Sequence, residues 1–174
     1  MPVRIRLGLE FWGYHPQRSS TLREVRDGIG EGSLGLCYVR RIAFSNSGVT
    51  AVHAMAYPLG AVSHAPHGMV NGLLLPHVME YNLPVGTKEL ADVAKALGEK
   101  IEDLSPKEAA RKAIAEVNEI IRSIGLPTRM RDLGAKEKDL RPMAEATMLV
   151  TRLLRSNPRR VSVDTIEEIY KHAL

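Results

Sequence analysis

The stretch Ser105–Pro127, SPKEAARKAIAEVNEIIRSIGLP, carries the start, stripe and stop signals of an amphipathic α-helix. Ser105 is a suitable N-cap, Pro106 fits the first turn, and Glu108 completes a capping box. Apolar residues then recur three or four positions apart, as one buried helix face requires. These residues are Ala110, Ala113, Ile114, Val117, Ile121 and Ile124. A glycine and a proline at the end of the stretch stop the helix.

The helical period extends to both sides of this stretch. An upstream stripe ends at Gly98, a downstream stripe runs from Leu140 to Leu154, and Ser162 opens a last helix with acidic residues in its first turns. Strand signals are limited to short runs such as LGLCYV at residues 34–39. We therefore predict an all-α fold, an antiparallel helical array, behind an irregular N-terminal segment.

Two further helices precede these. The first is capped at Ser45 or Ser47 and is ended or bent by the proline and glycine that follow Tyr57. The second begins at His67, behind a proline, and is kinked or broken near Pro76. Its nearly all-round apolar surface predicts burial.

The segment VHAMAYPLGAVSHAPHG, residues 52–68, places a histidine on each of these two helices. If the helices fold back on each other, the imidazoles of His53 and His67 can reach one point, and neutral imidazole binds Fe(II), Zn(II), Ni(II) and Cu(II). Tyr57 shares the helix face of His53, so its phenol could reach the same cavity. Two histidines alone are a weak metal signal, and the alternative is that they are a helix-end and a surface residue.

The other histidines have no comparable arrangement. We expect His64 to be exposed, His77 to point away from the pair, and His15 and His172 to be solvated. No acidic residue nearby is an obvious further ligand. The candidates are better explained as helix-surface charges: Glu80, Asp92 and Asp103.

Composition argues against nucleic-acid and membrane partners. Residues 1–44 contain seven arginines, no lysine and four acidic residues, a net +3 of the chain's +4, so the remainder is nearly neutral. A basic face for phosphates would need clustered lysine and arginine on a folded element. No stretch approaches the ~20 apolar residues of a membrane helix. The single cysteine, Cys37, excludes an internal disulfide and fits a cytoplasmic setting.

Residues 1–41 differ in composition from the rest and contain the glycine-broken run RDGIGEGSLG. We expect an irregular segment there, either a flexible arm or translated text outside the native reading frame. The domain proper is expected at residues 42–174.

The stretch AFSNSGVTAVHAMAYPLGAVSHAPHGMVNGLLLPHVMEYN resembles the iron-containing alcohol dehydrogenase family. The segments SIGLPTRMRDLGAKEKDL and NPRRVSVDTIEEIYKHA continue the resemblance, which begins near Ile42. It implies the all-helical C-terminal domain of a two-domain enzyme whose metal, usually iron and sometimes zinc, has one aspartate and three histidine ligands. By this resemblance His53 and His67 are the last two histidine ligands. Phe44 matches a position lining the nicotinamide and substrate pocket, and Tyr57 replaces a non-ligand histidine near the nicotinamide.

The resemblance also implies what this sequence lacks. No glycine-rich nucleotide turn in a βαβ context is present, and the first aspartate and histidine ligands have no counterpart. We therefore expect the C-terminal part of an enzyme that oxidises a small alcohol with NAD or NADP, without its nucleotide-binding half. We also expect homo-oligomers, because an uncovered cleft wall favours self-association. The alternative is a non-catalytic helical module for association or metal binding.

Overall fold

The computed structural model describes residues 49–174, and this part of the chain is all-α, as predicted. It contains seven α-helices, two 3₁₀ turns and no strand. The helices are α1 (Ala51–Ser63), α2 (His67–Asn82), α3 (Thr87–Ala96), α4 (Pro106–Ser123), α5 (Leu140–Met148), α6 (Thr151–Leu154) and α7 (Val163–Ala173). The 3₁₀ turns are Met130–Leu133 and Glu137–Asp139. The predicted irregular segment, the run LGLCYV and the serine caps at 45 and 47 lie outside the described residues.

We predicted that the proline and glycine after Tyr57 would end or bend helix α1, but the helix does not end there. Thr50 occupies the N-cap position, and the helix continues through Pro58 to Ser63. A proline removes one N–H donor from a helix, and packing of the flanking turns can offset that loss. Met55 and Leu59, on either side of Pro58, are fully buried. Helix α2 likewise passes through its own internal proline without breaking.

Helix α4 forms as its sequence predicts. The Ser105 hydroxyl accepts from the Glu108 amide, and the Ser105 amide donates to the Glu108 carboxylate at 2.9 Å, which completes the capping box. The helix ends before Gly125, which adopts φ 73°. Ile124 is 46% exposed despite its place in the apolar stripe, because it lies beyond the last helical turn.

The predicted helix from Leu140 to Leu154 is divided into α5 and α6. The Thr147 hydroxyl donates to the Met143 carbonyl at 2.8 Å, and α5 ends one residue later. Such hydroxyl bonds to the preceding turn weaken and bend helices. The Leu149 side chain, just after this break, is 83% exposed. The sequence pattern alone does not show this exposure.

The main core lies between α1, α2, α5 and α7, and its largest fully buried side chain is Tyr170. A smaller cluster of Leu83, Ala110 and Ile114 joins the end of α2 to α4. Helix α3 packs along α4 on that side. Within residues 49–174 no helix has the length and apolarity needed to cross a bilayer.

Candidate metal centre

The two histidines singled out in the sequence lie side by side. His53 is in the first turn of α1 and His67 is the first residue of α2. Their ring centroids are 5.6 Å apart, and the ring planes are inclined by 57°. Two imidazoles bound to one tetrahedral metal at ~2.1 Å would have centroids roughly 5 Å apart. The separation observed therefore suits a shared metal ion with little movement.

Tyr57 extends this pair into a group of three rings. Its ring lies against His67 with a centroid separation of 5.8 Å and an interplanar angle of 30°. The side chain is 56% exposed, so it borders an open face of the site. Tyr57 was expected to share a helix face with His53, and its ring also lies against His67.

The electrostatic environment of His53 favours neutral imidazole, which is the form that binds metals. Burial lowers the pKa of His53, and the neighbouring His67 lowers it further. Between residues 49 and 174 no three histidine, cysteine or acidic side chains group together in a way that could hold a metal. The described residues therefore offer two neighbouring nitrogen donors of the kind that suits a divalent transition metal.

Helix α1 is fixed beneath the site by a buried hydrogen bond that sequence reasoning did not identify. The Tyr170 hydroxyl donates to the Met55 carbonyl at 2.7 Å and lies 3.1 Å from the Thr147 hydroxyl. Met55 lies between His53 and Tyr57 on α1, so this contact anchors the turn that carries both rings. The sequence shows only a tyrosine in an apolar stripe, and it does not show that the hydroxyl contacts the distant Met55 carbonyl.

Asn71 is a second residue that the sequence did not reveal. Its amide nitrogen lies 2.8 Å from the His67 carbonyl and 3.0 Å from His67 Nε2. Its side-chain oxygen is buried and has no hydrogen-bond partner within the described chain. In the sequence, the only indication of this contact is that Asn71 lies four residues after His67 on α2.

The remaining histidines lie apart from this site. His64 is exposed, as expected, and ends α1 in the left-handed conformation with φ 54°. His172 is exposed, as expected; its ring lies 3.4 Å from a Glu168 oxygen and interacts electrostatically with His77. His15 and Phe44 lie outside the described residues.

Comparison with known proteins gives one consistent result. The model of the Fe-containing alcohol dehydrogenase family, C-terminal, matches residues 31–174, beginning upstream of the boundary expected at residue 42. Lactaldehyde reductase of Escherichia coli (strain K12) is 39% identical over 136 residues, which cover 78% of this chain and 35% of that protein. The 1,3-propanediol dehydrogenase of Klebsiella pneumoniae is 42% identical over 132 residues, 76% of this chain and 34% of that protein.

Solved structures agree with these relatives. A 1,3-propanediol oxidoreductase aligns with a TM-score of 0.82 and 35% identity, covering 100% of this chain and 46% of that one. An alcohol dehydrogenase from Oenococcus oeni aligns with a TM-score of 0.79 and 28% identity, covering 98% of this chain and 44% of that one. The chain thus spans about a third of the length of the curated relatives that it matches.

Proposed function

Because this chain belongs to the iron-containing alcohol dehydrogenase family, we propose that its helices supply two metal ligands, His53 and His67, to such an enzyme. The enzyme interconverts a small alcohol and its aldehyde or ketone with NAD or NADP. The observation that carries this proposal is the 5.6 Å separation of the two imidazole rings. The metal is iron or zinc, since imidazole suits both.

The names of relatives support the substrate class and the cofactor. The relatives include a lactaldehyde reductase, a 1,3-propanediol dehydrogenase and an NAD-dependent methanol dehydrogenase from Bacillus methanolicus, the last 34% identical over 137 residues. All three names refer to short oxygenated carbon compounds. A small alcohol in the cytoplasm is therefore the substrate that we propose here. The remaining ligands and the nucleotide-binding part would come from outside residues 49–174.

The roles of the individual residues follow from their places. His53 and His67 would hold the metal, which would supply Lewis acidity, while a nicotinamide cofactor would supply the redox chemistry. Tyr57 borders the open face beside His67, where its hydroxyl can donate a hydrogen bond to substrate or water. Phe44 lines the pocket by family resemblance.

The site can be tested by titrating the chain with Co²⁺, which replaces iron or zinc and absorbs visible light in a protein site. We expect the parent to develop absorption bands typical of nitrogen ligands. His53→Ala and His67→Ala should each lose these bands, because a single imidazole leaves most of the coordination to water. The readout is metal affinity and spectrum, independent of turnover.

The matched control is His64→Asn, which removes an exposed histidine three residues before His67 and retains a residue that tolerates the left-handed conformation. This variant should bind Co²⁺ like the parent. Equal binding by the parent and both alanine variants would refute the assignment. If the chain binds metal through both histidines and associates with copies of itself, but pairs with no dehydrogenase partner, the non-catalytic association or metal-binding module would be favoured instead.

A further inference from the structure

The exposed surface beside the two histidine rings is built from residues without charged side chains. No lysine, arginine, aspartate or glutamate occurs at residues 49–79, which include all of α1 and most of α2. Exposed helix faces ordinarily carry such residues, whereas the centres of protein–protein interfaces are depleted of them. We call the exposed residues next to the rings the uncharged face: Tyr57, Ala61, Pro66, His67 and Gly68.

Two glycines leave open space along the same helices. Gly60 lies three residues after Tyr57, and Gly68 follows His67 directly. Neither glycine has a positive φ, and a Cβ added to either one meets no listed neighbour within 4 Å. Glycine inside a helix is destabilising relative to alanine, so neither backbone conformation nor packing in the described chain accounts for the two residues. A helix backbone bare of side chains allows another surface to approach closely.

The histidine pair supplies half of a tetrahedral coordination sphere. Zinc in structural sites takes four protein ligands, and among residues 49–174 no third histidine, cysteine or acidic side chain joins the pair to form a metal site. In a contact with two-fold symmetry each residue occurs once on either side of the axis. Two copies that meet through the uncharged face therefore bring four imidazoles to one point.

We propose that a divalent metal ion joins two copies of this chain, with His53 and His67 of each copy as its four ligands. The inference rests on the proposed function for the histidine pair, and the second copy takes the coordination positions that the rest of the dehydrogenase would fill. A second copy suits the uncharged face because it brings no charge that would stay unpaired there. Zinc suits the site because it accepts four nitrogen ligands in tetrahedral geometry.

Sedimentation equilibrium of the full chain, with and without Zn²⁺, tests the proposal. We expect the molecular mass to double at one Zn²⁺ for two chains and to return to its initial value when EDTA removes the ion. His53→Ala and His67→Ala should each abolish the doubling, because either substitution removes two of the four ligands. A parent that binds Zn²⁺ without a change in mass would overturn the proposal.

Ala61→Lys and Val62→Lys form a matched pair that tests the contact surface. Ala61 lies four residues after Tyr57 and eight after His53, so it shares their stripe of α1. Val62 is also exposed, but five residues along a helix turn it about 140° away from Tyr57. Ala61→Lys should weaken the association with Zn²⁺ at least about 10-fold, because two ammonium groups meet across the axis. Val62→Lys should leave it unchanged, and equal effects would contradict the proposed contact.

Stoichiometry separates the failure of this inference from the failure of the proposed function. One Zn²⁺ bound to each chain through His53 and His67, without a change in mass, would refute the second copy and leave the ligand pair standing. Unchanged Zn²⁺ binding in both alanine variants would refute the ligand pair and the inference with it. A doubling of mass that persists in both alanine variants would show that the copies meet elsewhere and would overturn the proposal.

Discussion

Tyr170 shows at the residue scale how a core side chain can hold a functional helix. Its hydroxyl is buried and donates to the Met55 carbonyl, while its ring fills the space between helices. Burial raises the pKa of this phenol well above its ordinary value, so it is a neutral donor at neutral pH. Tyr170 therefore connects α7 to the turn of α1 that carries His53.

Tyr170→Phe should lower the free energy of unfolding by about 1–3 kcal/mol, because the Met55 carbonyl loses a donor in a place that water cannot reach. Urea denaturation measures the loss. Tyr81→Phe is the control, since its hydroxyl donates to the exposed Arg160 carbonyl, which water can satisfy. An equal loss in both variants would show that burial of the hydrogen bond is not the cause.

His77 gives the fold a pH dependence with a defined sign. Burial, followed by the charges of Arg129 and His172, lowers the pKa of His77 below the ordinary value of 6.5. Glu168, on the same helix as His172, has an oxygen 3.4 Å from the His172 ring. In the unfolded chain these effects vanish, so the unfolded state binds the proton first as the pH falls. The stability contribution is complete above about pH 6.5 and is lost as the pH falls below that value.

The free energy of unfolding should therefore decrease between about pH 8 and pH 5, and His77→Gln should decrease less. His53 has a lowered pKa as well and contributes a residual slope of the same sign. The comparison needs only denaturation curves of the parent and the variant at the two pH values. Parallel pH profiles for parent and variant would contradict this role of His77.

At the scale of elements, the loop after α6 is fastened to the end of α2 by a pair of amides. Asn157 and Asn82 exchange hydrogen bonds of 3.0 and 3.1 Å between their side chains. The Asn157 amide also donates to the Arg159 carbonyl, and the Arg159 guanidinium lies 4.3 Å from the centroid of the Tyr81 ring. These contacts join segments more than seventy residues apart.

Asn157→Ala should cost about 1–3 kcal/mol of unfolding free energy, because it leaves the Asn82 amide and the loop without their partners. Thermal or urea denaturation reports this loss. Arg159→Ala removes an exposed cation–π contact, worth about 0.5–1 kcal/mol, and an exposed hydrogen bond of 3.0 Å to the Tyr81 carbonyl, so we expect a smaller loss. A larger loss in the arginine variant would place the main support in the contacts of Arg159.

The helices most completely predicted from sequence are those whose signals are local. The capping box of Ser105 and the start of α7 at Ser162 depend on contacts three residues apart, and both form as expected. The continuation of α1 past Pro58 and the break after Met148 depend on distant packing and on a hydroxyl bond, which periodicity cannot show.

The residues of the candidate site also fall into those that the sequence revealed and those that depend on distant contacts. His53, Tyr57 and His67 were singled out from their residue types and spacing, and the fold brings their rings together. Asn71 and Tyr170 escaped notice because asparagine and tyrosine occur on helices for many reasons. Their importance comes from the atoms that they contact in three dimensions.

At the scale of the whole molecule, the proposed metal site has only two ligands among residues 49–174. Two neutral ligands supply no charge to offset that of a divalent ion, and a nucleotide turn is not among the described helices. We therefore expect this chain, supplied with Fe²⁺, NAD⁺ and a short diol, to form no NADH above the level of a His53→Ala, His67→Ala double variant. Absorbance at the NADH wavelength checks this, and turnover above that level would show that the chain carries a working site.

The central claim is that His53 and His67 bind one metal ion together. Anaerobic equilibrium dialysis against Fe²⁺, followed by elemental analysis, tests it most directly because it detects weak as well as tight binding. We expect excess iron bound to the parent and lost in both His53→Ala and His67→Ala. The same iron content in all three proteins would show that the two histidines do not bind iron together.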